Sequence, residues 1–239
     1  CWSSNGADGY TIEECKKDTP GTDVIMHIKE DAEDGHYSEY LENYRLRELV
    51  KTYSDYIRYP IIMDVETSKN TAKEGEEPKY ETVVQRQTVN SMVPIWQRSK
   101  KEVSDQACAD YYMEHFMDRE PPLSTIRISA EGLVSYKAML FISSVLPYGY
   151  YTKEFEKGLQ LYSSGVLIMD KCAQLLPDYF AFVKGVVDSP DLSLNISREL
   201  LQHDRQLSVI AKNIEKKIKA ELVKLMESDF EKYQSFWKH

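Results

Sequence analysis

The spacing of apolar residues along the chain predicts alternating helices and strands. From Tyr37 to Arg58 apolar side chains recur every three to five positions, which predicts a helix with one buried stripe, ended by Pro60. Runs rich in β-branched and apolar residues predict strands at Tyr80 to Thr88, Leu123 to Ser129, Leu133 to Ile142 and Val166 to Met169. Helices are predicted between them at Lys101 to Phe116, Tyr151 to Gln160 and Leu175 to Phe182. Such an alternation favours an α/β sandwich.

The two ends of the chain carry different patterns. Near the start, two short extended pieces, Tyr10 to Ile12 and Asp23 to Ile28, are separated by a turn at Thr19 to Thr22, which predicts a hairpin. Near the end, a long amphipathic helix is predicted from about Leu200, because one face carries Leu207, Ile210, Ile214, Ile218, Leu222 and Leu225. We interpret the lysine-rich remainder of that helix as a solvated face.

A polar, charged stretch from Thr67 to Pro78 separates two parts of the chain. It offers too little apolar surface to offset the entropy of ordering, so we predict a mobile linker. The chain of 239 residues is long enough for one large or two small domains. We therefore predict a domain boundary within this stretch.

Composition restricts the classes of partner. Lys and Arg number 30 against 39 Asp and Glu, and the resulting formal charge of −9 argues against nucleic acid or an anionic membrane as the main partner. The apolar runs are too short to cross a bilayer. The four cysteines form no CxxC pair and the five histidines show no ligand spacing, so no metal site is predicted and a reducing, cytoplasmic location is expected.

The common motifs of stand-alone enzymes are missing from the sequence, including the Gly-rich phosphate loop, GxGxxG, HExxH and GxSxG. One segment, 185–202, combines a strand-like apolar run, an Asp/Ser/Pro turn and a helix start that Asn195 or Ser197 could cap. A helix start after a loop can present an arginine such as Arg198 to a phosphate, because guanidinium forms paired hydrogen bonds to oxyanions. By local pattern alone, a surface ion pair is the commoner role for such an arginine.

The segment from Asp188 to Gln202 resembles the catalytic-loop signature of the 90-kDa heat-shock protein chaperones. The resemblance continues through the chain in the family's order. Leu46 to Ile61 is similar to the end of the family's nucleotide-binding domain, and the segments 94–96, 131–133, 140–142, 166–170 and 175–179 are similar to its middle domain. The short linker after Val65 resembles the bacterial members rather than the cytosolic eukaryotic forms.

The resemblance implies a fold and a function. The expected fold is the α+β tail of a nucleotide-binding domain at 1–58, a short linker region at 59–80 and an α/β/α middle domain at 81–239 that ends in a long helix. Arg198 would reach the γ-phosphate of ATP, Gln202 would accompany it, and Asn195 and Ser197 would shape the loop. ATP and Mg²⁺ would be bound mainly by residues of the parent protein upstream of Cys1. The chain begins with Cys1 rather than Met and stops at His239 just after a charge-rich helix, so both ends are interpreted as cuts through a longer protein.

The same resemblance implies partners. The full-length parent would be a homodimer that acts on unfolded or partly folded client proteins and closes onto its own N-terminal ATPase domain. The fragment alone is expected to be monomeric and inactive. Two positions depart from the family pattern, since Ser193 stands where many members have Pro and Gly165 stands where Arg is common.

Three alternatives remain open from the sequence. Trp96, next to Met92, Val93 and Ile95, either packs into its own domain or is an exposed anchor for clients. The chain as a whole is either part of an ATP-dependent chaperone or a protein-interaction module whose Arg198 loop only packs. A free-standing hydrolase is disfavoured by the missing nucleophile and metal motifs.

Overall fold

The computed structural model describes residues 1–33, 35–70, 80–192 and 205–238. It divides into two compact units, Cys1–Glu42 and Asn43–His239, which are treated separately below. The predicted domain bounds at 1–58, 59–80 and 81–239 concern the complete protein and stay a prediction.

The first unit is small and largely exposed. Its strands β1 (Trp2–Ser3) and β2 (Thr11–Ile12) pair antiparallel, and a 3-10 helix spans Tyr37–Leu41. The predicted pairing of residues 10–12 with 23–28 is wrong, because β2 takes β1 as its partner and no strand forms at 23–28. The turn between β1 and β2 is fixed locally, since the Asn5 side chain accepts hydrogen bonds from the backbone of Ala7 and Asp8.

A disulfide joins Cys1 and Cys15 in this unit, with the two Cα atoms 5.5 Å apart. The spacing of the cysteines in the sequence did not indicate this pair. The other two cysteines, Cys108 and Cys172, are buried thiols of the second unit.

The second unit opens with helical and then extended chain. Helix α1 (Asn43–Leu49) passes into a π-helical turn at Val50–Ser54, so the predicted helix is shorter and less regular than expected. Strands β3 (Ile62–Asn70) and β4 (Tyr80–Thr88) form an antiparallel ladder in which Ile62 pairs with Thr88 and Asn70 with Tyr80. The first part of the predicted linker, from Thr67 to Asn70, therefore belongs to a strand, because backbone pairing does not depend on apolar side chains. Residues 71–79 lie outside the described part.

The main sheet carries the rest of the second unit. Its strands are β5 (Ser124–Ala130), β6 (Tyr136–Ile142), β7 (Leu159–Ser163), β8 (Val166–Cys172) and β9 (Val183–Asp188), in the spatial order β5-β6-β9-β7-β8. Only the β7–β9 pair among these is parallel. The helices predicted at 151–160 and 175–182 are wrong. In the first region, residues 151–158 form turns and irregular chain, and the last two residues belong to β7, where pairing with β8 and β9 outweighs local propensity. The second region holds the end of the 3-10 turn Ala173–Leu175 and the 3-10 turn Asp178–Phe180.

Helices cover both faces of this sheet. Successive residues of β6 point to opposite sides of the sheet, so Leu140 joins one buried cluster and Phe141 the other. Helix α2 (Asp105–His115) packs on the Phe141 side through Cys108 and Tyr112. Helix α3 (Arg205–Ser228) packs on the Leu140 side through Leu207, Ile210, Ile214 and Ile218, and α4 (Phe230–Trp237) follows it. The predicted α/β/α arrangement with a long amphipathic helix is confirmed.

Across the described residues, every helix is either too short or too polar to span a membrane.

Candidate functional site

The residues predicted to act on phosphate fall between two described elements. Arg198, Gln202, Asn195 and Ser197 all lie in 193–204, outside the described residues. The structure does describe both flanks of that segment, namely the end of β9 at Asp188 with the residues up to Leu192, and the start of α3 at Arg205. The site is therefore built here from its flanks.

Asp188, the last residue of β9, is a buried carboxylate at the base of the segment. Its Oδ2 accepts hydrogen bonds from Trp96 Nε1 at 3.2 Å and from Gln97 Nε2 at 2.8 Å, and its Oδ1 accepts from Gly165 N at 3.4 Å. A buried carboxylate needs such partners because desolvation of the charge is costly. The sequence analysis names Asp188 only as the first residue of the signature segment and predicts no role for it, although an acidic residue at the end of an apolar strand was the available signal.

The next residues are held by two other parts of the sheet. Ser189 Oγ donates to Ser135 O at 2.7 Å, and Asp191 Oδ2 accepts from Ser135 N at 2.7 Å. Ser163 Oγ, at the end of β7, donates to Leu192 O at 2.7 Å. The start of the segment is thus tied to the β5–β6 connection and to the end of β7.

Trp96 is buried, with 3% of its surface exposed. Its ring packs edge-on against Tyr56 at 4.7 Å between centroids and lies 5.1 Å from Tyr162. The expectation of an exposed client anchor at Trp96 is corrected by this position. The packing alternative applies, because the indole fills the core on the α2 side of the sheet and its N–H is satisfied by Asp188.

Gly165 lies in the β7–β8 turn under the chain that follows α1. Its φ is +83°, and a Cβ at this position would lie 2.0 Å from the carbonyl oxygen of Tyr56. A side chain would therefore meet both the left-handed backbone and a fixed backbone atom. Only glycine fits this close approach, which gives a geometric reason for glycine at position 165.

Two buried polar side chains hold the residues after α1 against the chain that follows β4. Asp55 Oδ1 accepts from Ser91 N at 2.8 Å and from Lys51 Nζ at 2.9 Å. Asn90 donates from Nδ2 to the carbonyl oxygens of Ile57 and Tyr59. The sequence analysis did not single out either residue, because their partners are distant in sequence.

An open cavity of about 790 Å³ adjoins these flanks, lined among others by Tyr56, Lys137, Asp188 and Pro190. Tyr136 also lines it, and burial raises the pKa of its phenol to about 12. That hydroxyl has no hydrogen-bond partner among the described residues. The phenol therefore stays neutral at physiological pH.

Metal-binding chemistry finds no support in the part of the chain that the structure describes. No group of three or more His, Cys, Asp or Glu side chains there is close enough to hold an ion.

Comparison of the sequence with known proteins identifies a family that this chain resembles. The family model described as Hsp90 protein matches residues 64–239. The chain is 59% identical over 237 residues to the chaperone protein HtpG of Bacillus subtilis and 56% identical over 237 residues to HtpG of Clostridium perfringens. Both alignments cover 99% of this chain and 38% of the relative's length.

A solved structure agrees with the sequence relatives. The middle domain of a heat shock protein from Plasmodium falciparum superposes with a TM-score of 0.54 at 26% identity, covering 61% of this chain and 56% of that one. The α/β/α unit described above is thus similar to an Hsp90 middle domain. With a family model matching most of its length and a relative at 59% identity, the chain belongs to the Hsp90 family of chaperones.

Proposed function

We propose that this chain is the part of an ATP-dependent chaperone that supplies Arg198 to the γ-phosphate of ATP. The observation that supports the proposal is where the signature segment begins. It leaves the sheet at the buried end of β9, where hydrogen bonds tie residues 188–192 to Trp96, Ser135 and Ser163. A charged side chain contributes to catalysis at a bound nucleotide only if the backbone that carries it is held in place. A catalytic group that is not held in the reactive geometry loses most of its effect on the rate.

The proposed chemistry is electrostatic. Phosphoryl transfer spreads negative charge over the oxygens of the γ-phosphate, and a guanidinium placed there stabilises the transition state. In other nucleotide hydrolases such an arginine contributes on the order of a thousandfold or more. Gln202, four residues after Arg198, would share the contact, while Asn195 and Ser197 would shape the loop.

The remaining parts of the proposal concern the full-length protein. ATP and Mg²⁺ would be held mainly by its N-terminal domain, and the protein would act on unfolded clients as a homodimer. We propose a cytoplasmic location, where the exposed disulfide between Cys1 and Cys15 would be reduced. By itself the fragment would be monomeric and would bind ATP only weakly.

The test is made in the full-length protein that contains this chain. Arg198→Ala is expected to lower kcat for ATP hydrolysis strongly and to change the Kd for ATP little, because the contact forms mainly in the closed state. Arg198→Lys is expected to restore part of the rate, since an ammonium keeps the charge but not the paired donors. Lys212→Ala, which removes an exposed cation from α3, is the control and should leave hydrolysis unchanged.

The competing function is a protein-interaction module in which the Arg198 loop only packs. It requires hydrolysis at close to the normal rate in Arg198→Ala together with a lowered thermal midpoint. That pair of results would replace the ATPase role with a structural one.

A further inference from the structure

The first residues of the segment that contains Arg198 make hydrogen bonds to both backbone groups of Ser135. Ser135, just before β6, gives its N–H to Asp191 Oδ2 and receives the hydroxyl of Ser189 on its carbonyl oxygen, each at 2.7 Å. The Ser189 hydroxyl also accepts from Asp191 N at 3.3 Å. These three bonds fix the direction in which the chain leaves β9.

A second contact fixes the next residue. The Leu192 carbonyl oxygen accepts from Ser163 Oγ, and both residues are buried. The Leu192 side chain belongs to the same core cluster as Leu207 of α3. Both flanks of 193–204 therefore pack into the same hydrophobic core.

The distance along the chain makes this restraint relevant to Arg198. Arg198 is the sixth residue after Leu192, and a fully extended chain of six residues spans at most about 22 Å. The position of Leu192 therefore limits the volume in which the guanidinium can lie. A looser start enlarges that volume and lowers the fraction of molecules that hold Arg198 in the reactive place.

We infer that Ser135, Ser163, Ser189, Asp191 and Leu192 form a loop anchor, and that Asp191 and Ser163 are positioning residues for ATP hydrolysis. The inference rests on the proposed role of Arg198. It assigns to these side chains no contact with ATP, since they act by fixing the chain that carries the arginine.

Asp191 provides the sharper test because its side chain is exposed and its loss leaves the core intact. In the full-length protein, Asp191→Ala is expected to lower kcat about 10-fold at an unchanged Kd for ATP, since small errors in position cost large factors in rate. Asp191→Asn keeps an oxygen that can accept from Ser135 N–H and should recover most of the rate. If Asp191 had only a structural role, Asp191→Ala would lower the thermal midpoint and would not lower kcat selectively at an unchanged Kd.

Ser163→Ala tests the second contact against a matched control. It removes a hydroxyl that donates to a backbone carbonyl, and Ser144→Ala removes an equivalent donor, to Pro121 O at 2.9 Å, away from the segment. Only Ser163→Ala is expected to reduce kcat. Equal activity in the two variants, with Asp191→Ala also at the normal rate, would overturn the anchor.

Combination with Arg198→Ala separates the two proposals. If the anchor acts through Arg198, adding Asp191→Ala to Arg198→Ala should cause no further loss, whereas independent effects would multiply. A multiplicative loss would overturn the inference. Normal hydrolysis in Arg198→Ala alone would instead overturn the proposed function, and a loss confined to Arg198→Ala would leave the function standing and remove the anchor.

Discussion

Trp96 donates a hydrogen bond from its indole nitrogen to Asp188 Oδ2 across 3.2 Å, although 92 residues separate them in the sequence. Both side chains are buried, and the same carboxylate oxygen also accepts from Gln97. The short 3-10 helix Ile95–Gln97 is thereby joined to the end of β9. Through Trp96, the aromatic cluster on one face of the sheet is hydrogen-bonded to Asp188, where the segment that contains Arg198 begins.

Replacement of Trp96 by Ala should destabilise the protein by about 3–5 kcal/mol, as for truncation of a core aromatic. Urea denaturation of the fragment measures this. Trp96→Phe keeps much of the apolar area but removes the N–H, so a smaller loss is expected. An unchanged unfolding midpoint in Trp96→Ala would contradict the buried position and would indicate that Trp96 is exposed.

Gly165→Ala should destabilise the protein by more than about 1–2 kcal/mol, because it adds a Cβ at positive φ and 2.0 Å from Tyr56 O. Gly132→Ala is the matched control. Its Cβ would meet no atom within 4 Å, so its midpoint should stay close to that of the unmodified chain. Thermal unfolding of the two variants measures the difference. Equal midpoints would contradict the close approach of Tyr56 O to position 165.

The stability of the sheet on the α2 side should depend on pH through Asp118. Burial by itself would raise the pKa of this carboxyl, but hydrogen bonds from Tyr112 and Lys184 outweigh it and hold the pKa below the ordinary value of 3.8. A carboxyl with a lowered pKa in the folded state stabilises that state above the unfolded pKa, and the stabilisation is lost as the pH falls through the folded pKa.

Asp118→Asn should therefore lower the free energy of unfolding at neutral pH and flatten its decline below about pH 4. Urea titrations at neutral and acid pH measure both effects. Asp178→Asn alters an exposed carboxylate that pairs with Lys157, and such surface pairs contribute little. If both variants show the same pH dependence as the unmodified chain, the Asp118 pair is not a source of stability.

The two buried thiols should resist alkylation in the folded protein. Burial raises the pKa of Cys172 to about 11 and also raises the pKa of Cys108. At about pH 8, a thiol with that pKa is thiolate in only about one molecule in a thousand, and the thiolate is the reactive form. Mass spectrometry after iodoacetamide treatment should show no label at either position until urea is added. Rapid labelling of Cys172 in the native state would show that its strand opens.

Much of the second unit could be predicted from the sequence. Strand β5, strand β6 and helix α2 were located to within a few residues, because their apolar patterns are local signals. The long face of α3 was found for the same reason, since Ile210, Ile214 and Ile218 recur at helical spacing. The family was also recognisable from the segment 188–202, where the order of residues itself carries the information.

The tertiary structure decided what local pattern could not. Leu159 and Gln160 were predicted as the end of a helix, yet they begin strand β7 because β9 and β8 offer backbone partners on either side. Trp96 could be read as exposed or buried until Asp188, a residue far along the chain, supplied its partner. The anchor at Ser135, Ser163 and Asp191 was equally invisible, since hydrogen bonds between distant segments leave no periodic trace in a sequence and exist only once the sheet has brought those segments together.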